Sequence, residues 1–248
     1  MGLSRVGSGP AAIVVALPWE AVPLAKDLGL LKQGLQDGVT FYRGWEDRLL
    51  LLQAGMGREG AARATLFLEK PVLLLSAGFC GGTGPEVRLG DLVVGSRVVG
   101  IPQSFPADPS LLDRATRTLK ALALPFHTGT ILTVDRVASP THQREEGWRE
   151  MGVLAVDMES AYLADWAEQQ GIPFLAIRVV SDTPSEPWAA EAGLFIASDG
   201  RLRPGALFAH LLRHPFSISR LIPLARKLRE ATAHLTKGIR ALLKEQEW

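Results

Sequence analysis

The chain has 248 residues, 47% hydrophobic and 21% charged, with 27 Lys+Arg against 26 Asp+Glu and a formal net charge of +1. This composition excludes a disordered chain. A single cysteine, Cys80, excludes a disulfide scaffold or a cysteine-based zinc cage and fits a reducing compartment. The near-neutral total hides an asymmetry. Residues 201–248 carry 10 basic and 3 acidic side chains, +7, which leaves 17 basic and 23 acidic, −6, for the first 200. An acidic body with a basic tail hints at a surface partner.

In chain order, the strand candidates are Ala11–Leu17, Val39–Arg43, Arg48–Gln53, Val72–Ser76, Asp91–Val99, Thr128–Thr133, Val153–Val156 and Phe174–Val180. Several are continuous Val/Leu/Ile runs, as expected of strands covered on both faces. Helix candidates are Arg58–Glu69, Pro109–Leu122, Thr141–Met151 and Ser160–Gln170, the last stopped by Gly171 and Pro173. Alternation of the two predicts an α/β sandwich. The run Ala11–Leu17 is too short for a secretory h-region, and no apolar run approaches the roughly 18–20 residues of a membrane span. Residues 183–204 hold three prolines and two glycines and read as a loop or lid. Two helical patterns follow, Ala206–Arg213 and Ser217–Leu243. Pro223 either lies near the start of the second or breaks it. In the second, Ile218, Leu221, Leu228, Leu235, Ile239 and Leu242 recur at helical spacing with basic residues between them.

In open α/β sheets, sites lie beyond the carboxyl ends of strands. There this sequence carries Leu17-Pro18-Trp19-Glu20, Gln53-Ala54-Gly55-Met56-Gly57, Ser76-Ala77-Gly78-Phe79-Cys80-Gly81-Gly82, Val156-Asp157-Met158-Glu159-Ser160 and Arg178-Val179-Val180-Ser181-Asp182. Taken singly, each has an ordinary explanation. Asp182 could start an Asx-turn or cap a helix, and Asp157 and Glu159 could complement a helix dipole. Glu20 could belong to a Pro-started helix, and glycine lets backbone approach a ligand or another strand. Neither glycine cluster is a Walker loop or a GxGxxG turn.

In this order, with the two acidic motifs 23 residues apart, the set resembles the purine nucleoside phosphorylase/nucleosidase family over about residues 11–185. The resemblance implies a nucleoside phosphorylase-like three-layer α/β/α sandwich around a mixed sheet, here with a C-terminal helical extension. It divides the chain into a catalytic domain at 1–204 and a basic amphipathic extension at 205–248, packed on or near that domain. The implied reaction is cleavage of a purine N-glycosidic bond. Met158, Glu159 and Phe79 would face the ribose. Gly78, Val137, Ala138, Val156 and Ser181 would face the base. Asp182 would protonate N7 of the leaving purine, and Glu20 would orient the attacking water. A carboxylate on the sugar hydroxyls favours the positive charge that grows on an oxocarbenium-like sugar. Phosphorylases of the family carry arginines near the Glu20 and Ser76–Phe79 positions. This chain does not, so water is the favoured nucleophile. An arginine such as Arg58, or one from a neighbouring subunit, would favour phosphate instead.

Cys80-Gly81-Gly82, the Val134–Ala138 loop, the Asp157–Ser160 motif and the basic tail resemble the hopanoid-associated phosphorylase subgroup, which implies adenosylhopane as substrate. Val137 and Ala138 replace an aromatic that methylthioadenosine nucleosidases often present. Hydrolysis of methylthioadenosine, S-adenosylhomocysteine or futalosine stays open, as does a non-catalytic nucleoside-binding protein. No metal and no cofactor are expected, beyond phosphate as co-substrate in a phosphorylase. The expected partners are a small-molecule nucleoside, or a nucleoside-lipid, and further copies of the chain, with no nucleic acid. The expected location is the cytoplasm. The tail would either contact the inner membrane face peripherally or pack its apolar stripe on protein.

Overall fold

The computed structural model describes residues 9–135, 148, 150–183 and 218–244; for 218–225 it describes the backbone only. Four parallel strands form the centre, in the order β4 (Leu49–Gln53), β1 (Ala11–Val15), β5 (Leu73–Gly82), β10 (Phe174–Asp182). Their apolar runs are buried throughout because both faces are covered. On β1, Ala11, Ile13 and Val15 enter one core, and Ala12 and Val14 enter the other. Helices α1 (Pro18–Leu28), α3 (Pro109–Ala121) and α5 (Ile218–Lys244) cover the first face. Helices α2 (Gly57–Thr65) and α4 (Ser160–Gln170) cover the second. The result is the three-layer sandwich around a mixed sheet, with a C-terminal helix on it.

One edge of the sheet is a hairpin, β2 (Leu31–Gln36) and β3 (Val39–Gly44). The apolar-run criterion misses β2, because this edge strand is exposed along most of its length. Asp37-Gly38, both at positive φ (48° and 79°), is a turn signal that would have found it. The short β7 (Gln103–Pro106), which pairs with β6 (Leu92–Gly100), was also missed, while α1 is the Pro-started helix that the sequence offered as the ordinary explanation of Glu20. The predicted helix Thr141–Met151, the 183–204 loop and the helical pattern Ala206–Arg213 lie wholly or mostly outside the described residues.

The other side of the sheet closes on itself. β10 pairs with β6, β6 with β8 (Phe126–Thr133), β8 with β9 (Val153–Asp157), and β9 returns to β5. Closure needs a long β5. It runs to Gly82, six residues past the predicted strand end and beyond the end of β1, with β10 alongside it as far as Asp182 opposite Gly81. β9 meets this extension antiparallel, at Gly81–Val156 and Gly82–Ala155. The end of β9 is thereby delivered beside the carboxyl-terminal half of β5, opposite in direction to the ends of β1 and β10.

Helix α5 is continuous through Pro223, its sixth residue, although a proline there cannot donate to the Ser219 carbonyl one turn earlier. Its stripe of Ala231, Leu235, Ile239, Leu242 and Leu243 is buried in the core shared with α1 and α3. Each large apolar side chain so buried contributes about 1.5–3 kcal/mol. We therefore expect Ile239→Ala to lower unfolding stability by about 2–5 kcal/mol, through transfer and cavity terms together. In urea titration this appears as a lower midpoint at unchanged slope; an unchanged midpoint would show that the helix is not part of the cooperative core.

Candidate active site

Glu20 sits at the third position of α1 and is 3% exposed. Its Oε2 accepts from the N–H groups of Ala16 (3.0 Å) and Leu17 (2.7 Å) as β1 turns into the helix. Its Oε1 accepts from the Phe79 N–H of β5 at 2.7 Å. Burial pushes its carboxyl above the ordinary range; those three N–H groups and Arg178 oppose the rise. Gly78 makes this approach possible. It has φ +148°, and a Cβ there would stand 2.5 Å from Glu20 Oε1 and 2.7 Å from Arg178 Nη1.

Arg178 interrupts an otherwise apolar strand and is 1% exposed. It lies opposite Gly78 in the β10–β5 register. Its Nη2 pairs with Asp157 Oδ2 at 2.7 Å and donates to Ser76 Oγ (2.7 Å) and Ser160 Oγ (2.8 Å). Glu159 Oε2 stands 3.9 Å away. Burial works against the guanidinium charge, but Asp157, Glu159 and Glu20 outweigh it and hold its pKa above the ordinary value. Asp157 is fixed in turn by Thr133 Oγ1, which donates at 2.6 Å.

Glu159 precedes α4 and is 8% exposed. Its Oε1 accepts the Gly57 N–H from the start of α2 at 2.6 Å. Burial raises its pKa to about 7; Arg178 pulls the other way and Asp157 adds to the rise. Met158 is half-buried, with its methyl carbon 3.7 Å from where a Gly57 side chain would begin.

Asp182 ends β10, just past a bulge after Val180, with its carboxylate against Gly81. Burial raises its pKa, and the Ser181 hydroxyl, 2.7 Å from Oδ1, opposes the rise. Ser181 Oγ also lies 3.1 Å from the Cys80 carbonyl.

The structure thus gathers Glu20, Gly78, Phe79, Val156, Met158, Glu159, Ser181 and Asp182 along the carboxyl-terminal half of β5, from Gly78 to Gly81. Val137 and Ala138 lie outside the described residues. Arg58, exposed on α2, stacks on the Tyr162 ring at 5.7 Å, and Tyr162 in turn donates to Asp135. Sequence reading gave Arg178, Ser76 and Ser160 no role, and weighed Asp157 only as an acid at a helix start. An arginine inside a buried apolar strand was the available signal, since such a charge must be paired. Among the described residues, no three His, Cys, Asp or Glu side chains are placed to hold a metal ion.

The family model of the Phosphorylase superfamily matches residues 10–213. The chain belongs to that superfamily. It is an enzyme of the nucleoside phosphorylase/nucleosidase group. It is 30% identical over 200 residues to the 5'-methylthioadenosine/S-adenosylhomocysteine nucleosidase of Geobacillus kaustophilus, covering 71% of this chain and 85% of that protein. It is 25% identical over 206 residues to the enzyme of the same name from Oceanobacillus iheyensis, covering 71% and 90%. Two solved Helicobacter pylori structures share the fold at TM-score 0.74 and 16% identity: a methylthioadenosine/S-adenosylhomocysteine nucleosidase covering 96% and 99% of the two chains, and a futalosine hydrolase covering 96% and 98%.

The raised pKa of Glu159 has a stability consequence. Between its ordinary value of 4.5 and about 7, the folded protein keeps a proton that the unfolded chain has released. Its contribution is therefore complete below pH 4.5 and lost as pH rises through 7. Glu159→Gln cannot ionise. The variant should gain stability relative to the parent between pH 5 and pH 8, measured by urea midpoints. A gap that stays constant or moves the other way would contradict the raised pKa.

Proposed function

We propose that the enzyme hydrolyses the N-glycosidic bond of a purine nucleoside and releases the free base. The observation that carries this reading is the placement of Glu20. Its carboxylate fills the backbone N–H groups of Ala16, Leu17 and Phe79, which would otherwise form an anion nest, and lies beside Arg178. A phosphate dianion would meet a carboxylate there. The Arg178 guanidinium, already neutralised by Asp157, offers it little. Arg58 is engaged with Tyr162. A water beside Glu20 has a carboxylate to receive its proton.

In this mechanism Glu159 holds the ribose hydroxyls and favours the positive charge growing on the sugar. Met158 lies beside the sugar as an adaptable apolar surface. Gly78, Val156 and Ser181, with Val137 and Ala138, would flank the base. The C1′–N bond breaks with its electron pair passing to the purine. Asp182 delivers a proton to N7, so the base leaves neutral. The water oxygen bonds to C1′ and its proton passes to Glu20. Both acids return to their starting states by exchange with solvent. A raised pKa suits Asp182, because it keeps the acid protonated nearer neutral pH.

For the substrate we propose adenosylhopane, with methylthioadenosine, S-adenosylhomocysteine and futalosine as competitors. Residues 1–204 are the proposed catalytic unit and 205–248 its extension. The apolar stripe of α5 is buried from Ala231 to Leu243. Contact with a lipid surface would therefore use the outward basic face of Arg226, Arg229, Lys237 and Lys244, each basic residue worth about 1 kcal/mol near anionic headgroups.

Three measurements test this. Asp182→Asn should lower the rate of base release by about 10²–10⁴-fold without loss of fold; a parental rate would remove Asp182 from the role of acid. In phosphate-free buffer, incubation with the four nucleosides should still yield free base and free sugar. Strict dependence on phosphate would overturn hydrolysis, and the nucleoside turned over fastest identifies the substrate. Finally, the enzyme should co-sediment with vesicles containing anionic lipid and be released by salt. Equal sedimentation after Arg229→Glu and Lys237→Glu would rule out the basic face.

A further inference from the structure

Helix α5 reaches the site through an intermediary, the turn Arg88–Asp91 that precedes β6. β10 pairs with β6 only as far as Val179, opposite Leu92. The turn extends that ladder by one residue. The Gly90 N–H donates to the Val180 carbonyl, and the Val180 N–H donates to the Asp91 carbonyl, both at 2.9 Å. On its other side Val180 pairs with Cys80 of β5. Val180 is the last residue gripped from both sides before the bulge that carries Ser181 and Asp182. The turn therefore decides where the bulge starts, and with it the direction of the Asp182 carboxyl.

Two histidines hold the turn. His127 at the start of β8 bonds Asp91 Oδ2 through Nε2 at 2.9 Å, and the same oxygen accepts the Arg88 N–H at 3.0 Å. His234 of α5 places Nδ1 2.9 Å from the Gly90 carbonyl. A carbonyl only accepts, so this bond requires the tautomer with hydrogen on Nδ1. Gly90 has φ +91°, a conformation other residues rarely adopt. The two peptide groups flanking Gly90 thus face different partners, its N–H to Val180 and its C=O to His234.

We infer that His234 is a positioning residue for the proposed acid: through Gly90 and Val180 it fixes the end of β10 that presents Asp182. The inference rests on the reading of Asp182 as the acid and adds the C-terminal helix to the catalytic apparatus, although no residue of α5 need touch substrate. A small displacement of a reacting group lowers the rate strongly while leaving ground-state binding nearly intact.

The test uses the full-length enzyme and the best nucleoside of the substrate comparison. His234→Ala should lower kcat about tenfold or more, with KM unchanged within about twofold. His234→Asn should restore most of kcat, because its amide N–H occupies the place of Nδ1–H. His234→Gln, whose amide lies one bond further out, should not. If the alanine variant does not fold, the glutamine variant is read in its place. A purely structural role would lower the melting temperature and leave kcat per folded molecule unchanged. That result, a change confined to KM, or rescue by glutamine rather than asparagine would each overturn the inference. Asp182→Asn is run in parallel. Parental activity there removes the acid assignment, whereas an inactive Asp182→Asn beside a fully active His234→Ala removes only the brace.

Discussion

The Arg178 guanidinium, buried in the middle of a β-strand, is the constraint around which the rest of the site is arranged. Such a charge persists only if paired and hydrogen-bonded, and breaking a buried pair costs about 3–5 kcal/mol. Asp157 meets it directly, Ser76 and Ser160 accept from it, and Glu159 and Glu20 surround it at longer range. These partners come from β5, from the β1–α1 junction and from the end of β9 with the start of α4 that follows. Satisfying one cation thus ties together the segments that a nucleoside would have to touch. Burial holds the pKa values of Glu20 and Glu159 above their ordinary ones; at both, Arg178 opposes the rise, and at Glu159 the neighbouring Asp157 and Glu20 add to it.

The closed part of the sheet makes this convergence possible. In an open parallel sheet every strand would deliver its carboxyl end to the same edge. Here β5 runs past the end of β1 and β9 comes back to meet it, so Glu20, after β1, and Asp157 and Glu159, at the end of the oppositely directed β9, converge on Arg178. The absence of a side chain at Gly78 admits both Glu20 and Arg178. The same carboxylate that approaches there occupies the backbone donors an anion would need. In the proposed reading, that occupancy separates a water-using site from a phosphate-using one within a single fold.

The charge asymmetry between body and tail has a simple origin in packing. The proposed site draws its acids, Glu20, Asp157, Glu159 and Asp182, from the acidic body. In α5 the apolar stripe faces the core and the basic residues face outward, with Arg240 paired to Asp27 of α1 at 3.1 Å. The helix is therefore a structural layer first. Its inner face also touches the turn that grips Val180, which gives a remote, basic segment a route to the acid.

The sequence alone was enough to identify the central strands, because continuous apolar runs such as Leu49–Leu52 and Leu73–Leu75 have no stable place except between two layers. It also supplied the acids, since Glu20, Glu159 and Asp182 follow such runs in an order and spacing that resemble a known family. Periodicity reports how deeply a residue is buried, not what it meets. The exposed edge strand β2 left no apolar run, the overrun of β5 through Phe79-Cys80-Gly81-Gly82 looked like a loop, and Arg178 looked like an interruption. Only the tertiary structure set Arg178 against Asp157, the Gly57 N–H against Glu159, Glu20 into three backbone donors and His234 against Gly90. These contacts join residues up to 144 positions apart. They are chosen by the need to satisfy buried charges and amides, a requirement that no local pattern of side chains encodes.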